Sequence, residues 1–455
     1  MPKSLAPRFP REAGLNAVHV VWIALIVVGC GSRAPQTVES EPTSASATES
    51  ESASASASEP EPESETWVDV SVGYHFSCAV RGGRVWCWGS NAEGRAGLGD
   101  TAHSPTPMRV EGVDDALGVS AGESHACALR RGGRVACWGR NRYGQVGDGT
   151  TDDRARPVAV DLVGVAQIET GRDHTCARLE AGTIACWGRA SLVGDGTDES
   201  RPRPTEVAGV ANAIGLAVGT MTSCAWNVEG DAWCWGYNTA GLFERRPGPE
   251  RAPRAVLRED PVEWIAIGNR HACFTRKTDH VGFCAGDAED GQLGNQNVPD
   301  EARCERDGEE VVCTWTRPEP PREHDDPRAT RCCPHQRERE PRPPPEERRY
   351  PLRAWWLHSD ARGESVTASD ARTCFLTDAR EVACVGNLYY TNDWGHRHVA
   401  PIEGTAGTVR FDVDRGHGCA LRDDGELVCW GDGRSGNLGD GTLNNRPEAR
   451  PVRSR

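Results

Sequence analysis

Seven times in this chain a cysteine is followed nine to eleven residues later by a second one: Cys78/Cys87, Cys127/Cys137, Cys176/Cys186, Cys224/Cys234, Cys273/Cys284, Cys374/Cys384 and Cys419/Cys429. Five of the second cysteines run directly into Trp-Gly. The first members fall 49, 49, 48, 49, 101 and 45 residues apart, so a unit of nearly fixed length recurs, with one insertion between the fifth and sixth copies. A period of that size means an array of like supersecondary units, each stacked on its neighbours.

The second copy shows the unit most clearly. Ala116 to Ala121 reads as a short strand, His125 to Arg130 and Arg134 to Trp138 as a hairpin, Gly144 to Thr151 as a Gly/Asp turn region, and Arg156 to Val160 as a fourth extended piece. Four short strands in about 49 residues is the arithmetic of a propeller blade. Helical periodicity is absent from the units, which argues against helical solenoids. The expected fold is therefore an all-β, seven-bladed β-propeller.

The hairpin has a definite register. Cys78 and Cys87 are symmetric about Gly82-Gly83, a two-residue turn that needs positive φ at both positions. In copies two, three, four and seven the spacing is one longer, and Gly133, Gly182, Gly230 and Gly425 occupy the third loop position, where a left-handed bulge residue belongs. Both lengths set the two cysteines opposite each other. Non-hydrogen-bonded opposed residues have Cα atoms about 4.5 Å apart, a short span for a disulfide. A cross-strand disulfide in each blade is expected, with small buried thiols as the alternative. His125, His174, His271 and His417 each lie two residues before a paired cysteine. A zinc ion in every unit is the weaker reading; hydrogen bonds to neighbouring turns are expected instead.

The N-terminus places this array in an oxidising compartment. Lys3, Arg8 and Arg11 precede an apolar run, Ala17 to Val28, too short for a comfortable membrane span and fitting a secretory signal. Val27-Val28-Gly29-Cys30 follows, resembling the lipobox of bacterial lipoproteins, with an ordinary signal peptide as the plainer alternative. Residues 1–29 are read as the signal and Cys30 as the lipidated residue. Ser32 matches the pattern of lipoproteins sent to the outer membrane. Without Cys30, eighteen of the 19 cysteines remain: the seven pairs and Cys304, Cys313, Cys332 and Cys333, an even number suited to disulfides throughout.

Residues 30–66 are rich in Ser, Ala, Glu and Pro and read as a disordered tether, since they cannot bury enough surface to offset their ordering entropy. Eight Glu and no Lys or Arg between 34 and 66 take more than half of the net charge of -15. The propeller is read as 67–455. No basic stripe for nucleic acid is present.

The runs Gly122-Glu-Ser-His-Ala-Cys-Ala-Leu, Gly133-Arg-Val-Ala-Cys-Trp-Gly and Asn141-Arg-Tyr-Gly-Gln-Val-Gly-Asp-Gly-Thr150 resemble the repeats of the regulator of chromosome condensation family. Similar runs appear at Gly291 to Gly294 and Asn437 to Thr442, so the resemblance covers about residues 67–295 and 351–452. Ala285 and Val385 depart from the pattern by replacing the Trp after the second cysteine, and the fourth unit lacks both the His and the Gly-Asp-Gly-Thr turn. The resemblance implies a seven-bladed propeller whose function is set by loops on its faces. The best-known member promotes nucleotide exchange on a small nuclear GTPase, and other relatives are secreted bacterial proteins.

No catalytic motif stands out: there is no GxSxG elbow, no HExxH and no GKS/T loop. The turns at Gly147, Gly194 and Gly439 read as turns rather than calcium or phosphate sites. Trp88, Trp138, Trp187, Trp235 and Trp430 share one repeat position and read as packing between blades. The insertion at about 296–350 carries eleven Arg against twelve acidic residues from Arg303 to Arg349. It is expected to be a small loop stapled by Cys304/Cys313 and by Cys332 or Cys333, a zinc set of Cys304, Cys313, Cys332 and His335 being poorly spaced. Displayed on a rigid scaffold, such a loop can bind a partner, with a tolerated surface insertion as the bland alternative. Trp355 and Trp356, at its exit, fall outside the pattern.

These readings converge on a lipid-anchored scaffold of the bacterial cell envelope, on the outer membrane, that binds a protein partner without catalysis. No cofactor, no metal and no nucleic acid are expected. An exchange-factor-like protein, an enzyme with an axial pocket and a purely structural envelope protein are the rivals.

Overall fold

A computed structural model of the chain describes residues 66–238, 249–256, 261–278, 282–286, 303–307, 310–315, 346–351, 366–369, 372–377, 379–386 and 400–453. Cys30, the signal and tether sequences, Cys332, Cys333, His335, Trp355 and Trp356 lie outside the described residues.

The described residues form an all-β propeller. Strands β1 (Trp67–Gly73), β2 (Phe76–Arg81), β3 (Arg84–Gly89) and β4 (Ser104–Arg109) pair antiparallel in chain order. The same order recurs in four-stranded sheets that open at Ala116, Val165, Ala213, Val366 and Thr408. A three-stranded sheet of Val262–Ile267, His271–Arg276 and Gly282–Gly286 carries the same hairpin. In the second sheet the strands are Ala116–Ala121, His125–Arg130, Arg134–Gly139 and Arg154–Val160. The last of these starts two residues before the expected Arg156, where Arg154 Nε donates to Asp148 Oδ2 in the preceding turn at 2.6 Å.

The Arg-rich segment expected to be a stapled loop contains a three-stranded sheet of its own, Arg303–Asp307, Glu310–Trp315 and Glu346–Pro351. Cys304 and Cys313 are register partners in it.

Each repeated cysteine faces its partner across the hairpin, and all seven pairs are disulfides. Cys78–Cys87, Cys127–Cys137, Cys176–Cys186 and Cys224–Cys234 have Cα separations of 4.0–4.1 Å. Cys273–Cys284, Cys374–Cys384 and Cys419–Cys429 span the same 4.0–4.1 Å. The Cys273–Cys284 bridge forms although its sequence separation is 11, one more than in any other copy. Ala285 and Val385, which stand where Trp follows the second cysteine elsewhere, leave the pairing of Cys284 and Cys384 intact. Gly82 and Gly83 have φ of 57° and 72°, as their two-residue turn requires. Gly133, Gly182, Gly230 and Gly425 also lie at positive φ, closing the longer loops.

The bridges sit in the core of each blade. The eight cysteines of the first four pairs are wholly buried, as are Cys374 and Cys419, and Cys273, Cys384 and Cys429 are nearly so. Cys284 is only partly buried, packed beside Ala266, Cys273 and Val366.

Neighbouring sheets are joined by a recurring polar seam. His125 Nε2 lies 2.8 Å from Thr175 Oγ1 of the next sheet, and that hydroxyl donates to Gln145 O, 2.8 Å away. With its proton so committed, the threonine oxygen accepts from the imidazole. The indole N–H of Trp187 donates to the same carbonyl at 2.9 Å. His174–Ser223, His271–Thr373 and His417–Ser77 repeat the pairing at 2.8, 2.8 and 2.9 Å. The histidines thus serve hydroxyls on adjacent strands, not the neighbouring turns expected from the sequence. Hydrogen bonds from the Trp88, Trp138 and Trp235 indoles go to Asn437 O, Arg95 O and Leu192 O in turns that precede the last strand of the preceding sheet.

The ring closes without a shared strand. The first sheet comes wholly from the N-terminal side and the last, Thr408 to Pro451, wholly from the C-terminal side. Trp67, Val70, Val72 and Trp88 pack with Leu421, Leu427, Leu438 and Val452. Val72 N donates to Asp412 Oδ2 at 2.7 Å across the same junction.

Candidate functional site

The innermost strand of each sheet runs along the propeller axis and faces the axis with one unpaired edge. Polar side chains satisfy that edge from the adjacent sheet. Asp69 Oδ2 accepts from Val119 N at 2.8 Å, Ser71 Oγ from Ala121 N at 3.0 Å, and Ser120 Oγ from Thr170 N at 3.0 Å. Asp412 Oδ2 accepts from both Val72 N and Ser71 Oγ. Asp69, Ser71, Ser120 and Asp412 of the polar lining therefore cap inner strands, because an unpaired edge would otherwise leave backbone donors unsatisfied.

Two cavities open from the axis and share Ser71, Ser120, Glu169 and Asp412 as a waist. The narrow one, about 130 Å³, is ringed by the ends of the inner strands and by Tyr74, Glu123, Arg172 and Arg415. Its collar is built from glycines. A Cβ on Gly73 would lie 2.4 Å from Gly122 O, one on Gly122 2.2 Å from Gly171 O, and one on Gly171 2.6 Å from Gly219 O. Backbone bonds such as Tyr74 N to Gly122 O at 3.2 Å join the sheets at that level.

The opposite mouth is wider, about 440 Å³, and more apolar. Leu117, Leu129, Ile168, Ile214, Trp264 and Phe411 line it, with Arg178 and Arg410. Arg410 Nε pairs with Asp69 Oδ1 at 2.7 Å. At the waist, burial pushes the Glu169 carboxyl up to about 7, with Asp412 and Asp69 adding repulsion. Burial also raises Asp412 to about 6, and Asp414, beside the narrow mouth, to about 6.

The sequence-predicted turns are self-contained. Asp148 Oδ1 accepts from Thr150 N and Oγ1 at 2.9 and 2.8 Å, and Asp195 and Asp440 do the same with Thr197 and Thr442. Arg154, Arg201 and Arg446 pair with the other carboxylate oxygens. Among the described residues no group of three His, Cys, Asp or Glu is placed to hold a metal ion. The cysteine pairs lie inside the blades, and none of them, Cys273–Cys284, Cys374–Cys384 and Cys419–Cys429 included, reaches the axial lining. Sequence reasoning missed the axial residues because single inner-strand positions in different repeats form the site. The available clue was the second residue of each inner strand, apolar in Val68, Leu117, Ile214 and Val409 although the turns nearby are polar.

Two profiles of the regulator of chromosome condensation (RCC1) repeat match the chain, one at residues 67–95, 118–145 and 415–437 and the other at 82–129 and 132–178. No curated protein matches it in sequence. Among solved structures, Prp20p from Saccharomyces cerevisiae, described with its binding to Gsp1p and histones, is 17% identical with a TM-score of 0.60, covering 81% of this chain and 85% of its own. Yeast RCC1 (Prp20) in the structure with Kap60 is 16% identical, also with a TM-score of 0.60, over 86% and 85% of the two chains. With its repeated Cys-Trp-Gly hairpins, consecutive four-stranded sheets and axial inner strands, the chain is a β-propeller that carries regulator of chromosome condensation repeats within residues 67–178 and 415–437.

Proposed function

We propose that this chain is a lipid-anchored, exported propeller of seven blades that acts as a scaffold binding a protein partner, without chemistry of its own. The blade count takes the three-stranded sheet that opens at Val262 as the fifth blade, since its hairpin and its Cys273–Cys284 disulfide match the others. The observation that carries the binding reading is the wide, apolar-rimmed mouth of the axis, beside an axial polar lining already engaged in joining the sheets. The structures with the same fold support it, being described in complex with or binding to Gsp1p, histones and Kap60. Export through Lys3 to Val28 and attachment at Cys30 separate this chain from a nuclear GTPase, which disfavours nucleotide exchange.

Affinity capture with the full chain and with a chain lacking residues 297–350 tests the scaffold and the role of the Arg-rich segment. Recovery of one protein by the full chain alone supports partner capture by that segment. Equal recovery by both moves binding to the propeller faces, and recovery by neither sinks the scaffold reading. Metabolic palmitate labelling, lost in Cys30→Ala, tests the anchor.

A further inference from the structure

We propose that the wide mouth of the axis docks a segment of a partner protein that presents one carboxylate within an apolar surround. The inference rests on the scaffold reading and gives the partner a chemistry.

The first observation is a repeated bulge. Six described inner strands break register at their second residue: Val68, Leu117, Ala166, Ile214, Glu263 and Val409. A bulged residue has no ladder partner, and the kink re-aims its side chain. Val68, Leu117, Ile214 and Val409 are 53%, 55%, 52% and 37% exposed. Nothing in blade packing asks for apolar side chains there, and Glu263 shows that the position accepts a charge. Of these exposed residues, Leu117 and Ile214 line the wide mouth, and exposed apolar groups at such a rim form a patch of the kind that marks a binding surface.

The second observation is the hollow inside that rim. A volume of about 440 Å³ walled by Leu129, Ile168, Trp264 and Phe411 lies within the range of ligand-holding pockets. The third is Arg178 on its wall. Among the described residues its hydrogen bond is a long one, Nε to Gln167 Oε1 at 3.4 Å, and none of their carboxylates pairs with it. Arg178 is half-buried, and that burial lowers its pKa. By contrast, Arg410 on the same wall is neutralised by Asp69. Glu169 accepts from Gln167 Nε2 at 3.0 Å.

A half-buried guanidinium with no counter-ion among the described residues gains most from a planar anion, which it grips with two parallel N–H bonds. A cationic occupant would meet Arg178, whose charge, unlike that of Arg410, is offset by no carboxylate among the described residues. A purely apolar one would take Arg178 further from water without compensation. A carboxylate carried on an apolar body answers both the rim and the arginine.

The test titrates the full chain with phenylbutyrate, phenylbutanol and phenylbutylamine, which share one apolar body, by ligand-observed NMR at neutral pH. Phenylbutyrate should bind at least about ten-fold tighter than the amine, with the alcohol between. Arg178→Gln should erase the preference and keep alcohol binding. The double substitution Leu117→Ser and Ile214→Ser should weaken all three while the thermal midpoint holds, because both side chains face solvent. Amine binding as tight as the carboxylate, an unchanged preference in Arg178→Gln, or no saturable binding of any probe overturns the proposal. If partner capture survives those same substitutions, the site falls and the scaffold stands; if the unsubstituted chain captures nothing, the scaffold falls and the site with it.

Discussion

At each seam between blades two residues behave as a code. Where the position two before the first cysteine is His125, His174, His271 or His417, the following sheet offers Thr175, Ser223, Thr373 or Ser77 just before its own cysteine. Where it is Phe76, Thr222 or Arg372, the following sheet has Ala126, Ala272 or Gly418. Leaving a buried donor or acceptor unpaired costs about 1–3 kcal/mol, which explains why the two positions change together. His125→Phe or Thr175→Ala alone should therefore destabilise by about that amount, whereas the double variant, copying the Phe76/Ala126 seam, should cost less than the sum. Urea unfolding of the four species measures the coupling, and strict additivity would refute the code. Both halves stood in the sequence as a histidine and a hydroxyl one repeat apart. They were not legible as a pair because the ring order that joins them is a tertiary fact.

The same histidines set an acid limit. Burial holds His125, His174 and His417 at about 3, far below the 6.5 of an exposed imidazole. The unfolded chain takes up their protons first, so their contribution is complete above pH 6.5 and is lost as pH falls toward 3. Glu169, Asp412 and Asp414 run the other way: raised to about 7, 6 and 6, they favour the folded state when protonated and lose that contribution as pH rises through 4 to 7. From pH 6 to about 4.5 the two sets oppose each other. Below about 4 the carboxyl gain is exhausted while histidine uptake continues at on the order of 1.4 kcal/mol per pH unit for each residue. Unfolding free energy should thus be nearly flat to pH 4.5 and then drop, and the drop should be shallower in the His125→Phe/Thr175→Ala double variant. A steady decline from pH 6.5 would contradict this balance.

At the level of the element, the hairpin was the most legible part of the chain because its cysteines fix the register directly. A one-residue slip would have separated every Cys pair, and none is separated, from Cys78/Cys87 through to Cys419/Cys429. The inner strands were legible in position but not in shape. Their bulges add one residue opposite β2 and its equivalents, and a short run such as Trp67-Val-Asp does not say which residue is extra. Closing a hairpin loop of this size constrains the unfolded chain by about 2–3 kcal/mol in the entropic view. Replacing Cys127 and Cys137 together by Ala should cost about that much. The register, also held by ladder bonds from His125 to Arg130, should persist, visible as unchanged amide exchange protection in the strands. Lost protection in that hairpin alone would show the bridge to be needed for the pairing itself.

For the whole molecule, the instructive junction is the one the chain does not cross. Seams such as that between the sheets opening at Ala116 and Val165 are backed by a short connection. The seam between the first and last sheets depends on Trp88, Val72, Ser77 and their partners near Asp412, His417 and Asn437. Trp88 and Trp187 are chemically matched, both wholly buried and both donating to a turn carbonyl at 2.9 Å. Truncating either to Ala removes a large buried side chain and should cost about 3–5 kcal/mol. The consequences should differ in space. Opening at Trp187 leaves two sheets tethered by neighbouring chain, so loss of protection should stay local. Opening at Trp88 frees both ends of the array, and nearest-neighbour stacking then predicts fraying inward from each end. Hydrogen exchange of Trp88→Ala should show the first and last sheets deprotected together while the sheets opening at Val165 and Ala213 keep their protection. The same local pattern in both variants would mean that the ring is held as firmly at its break as elsewhere.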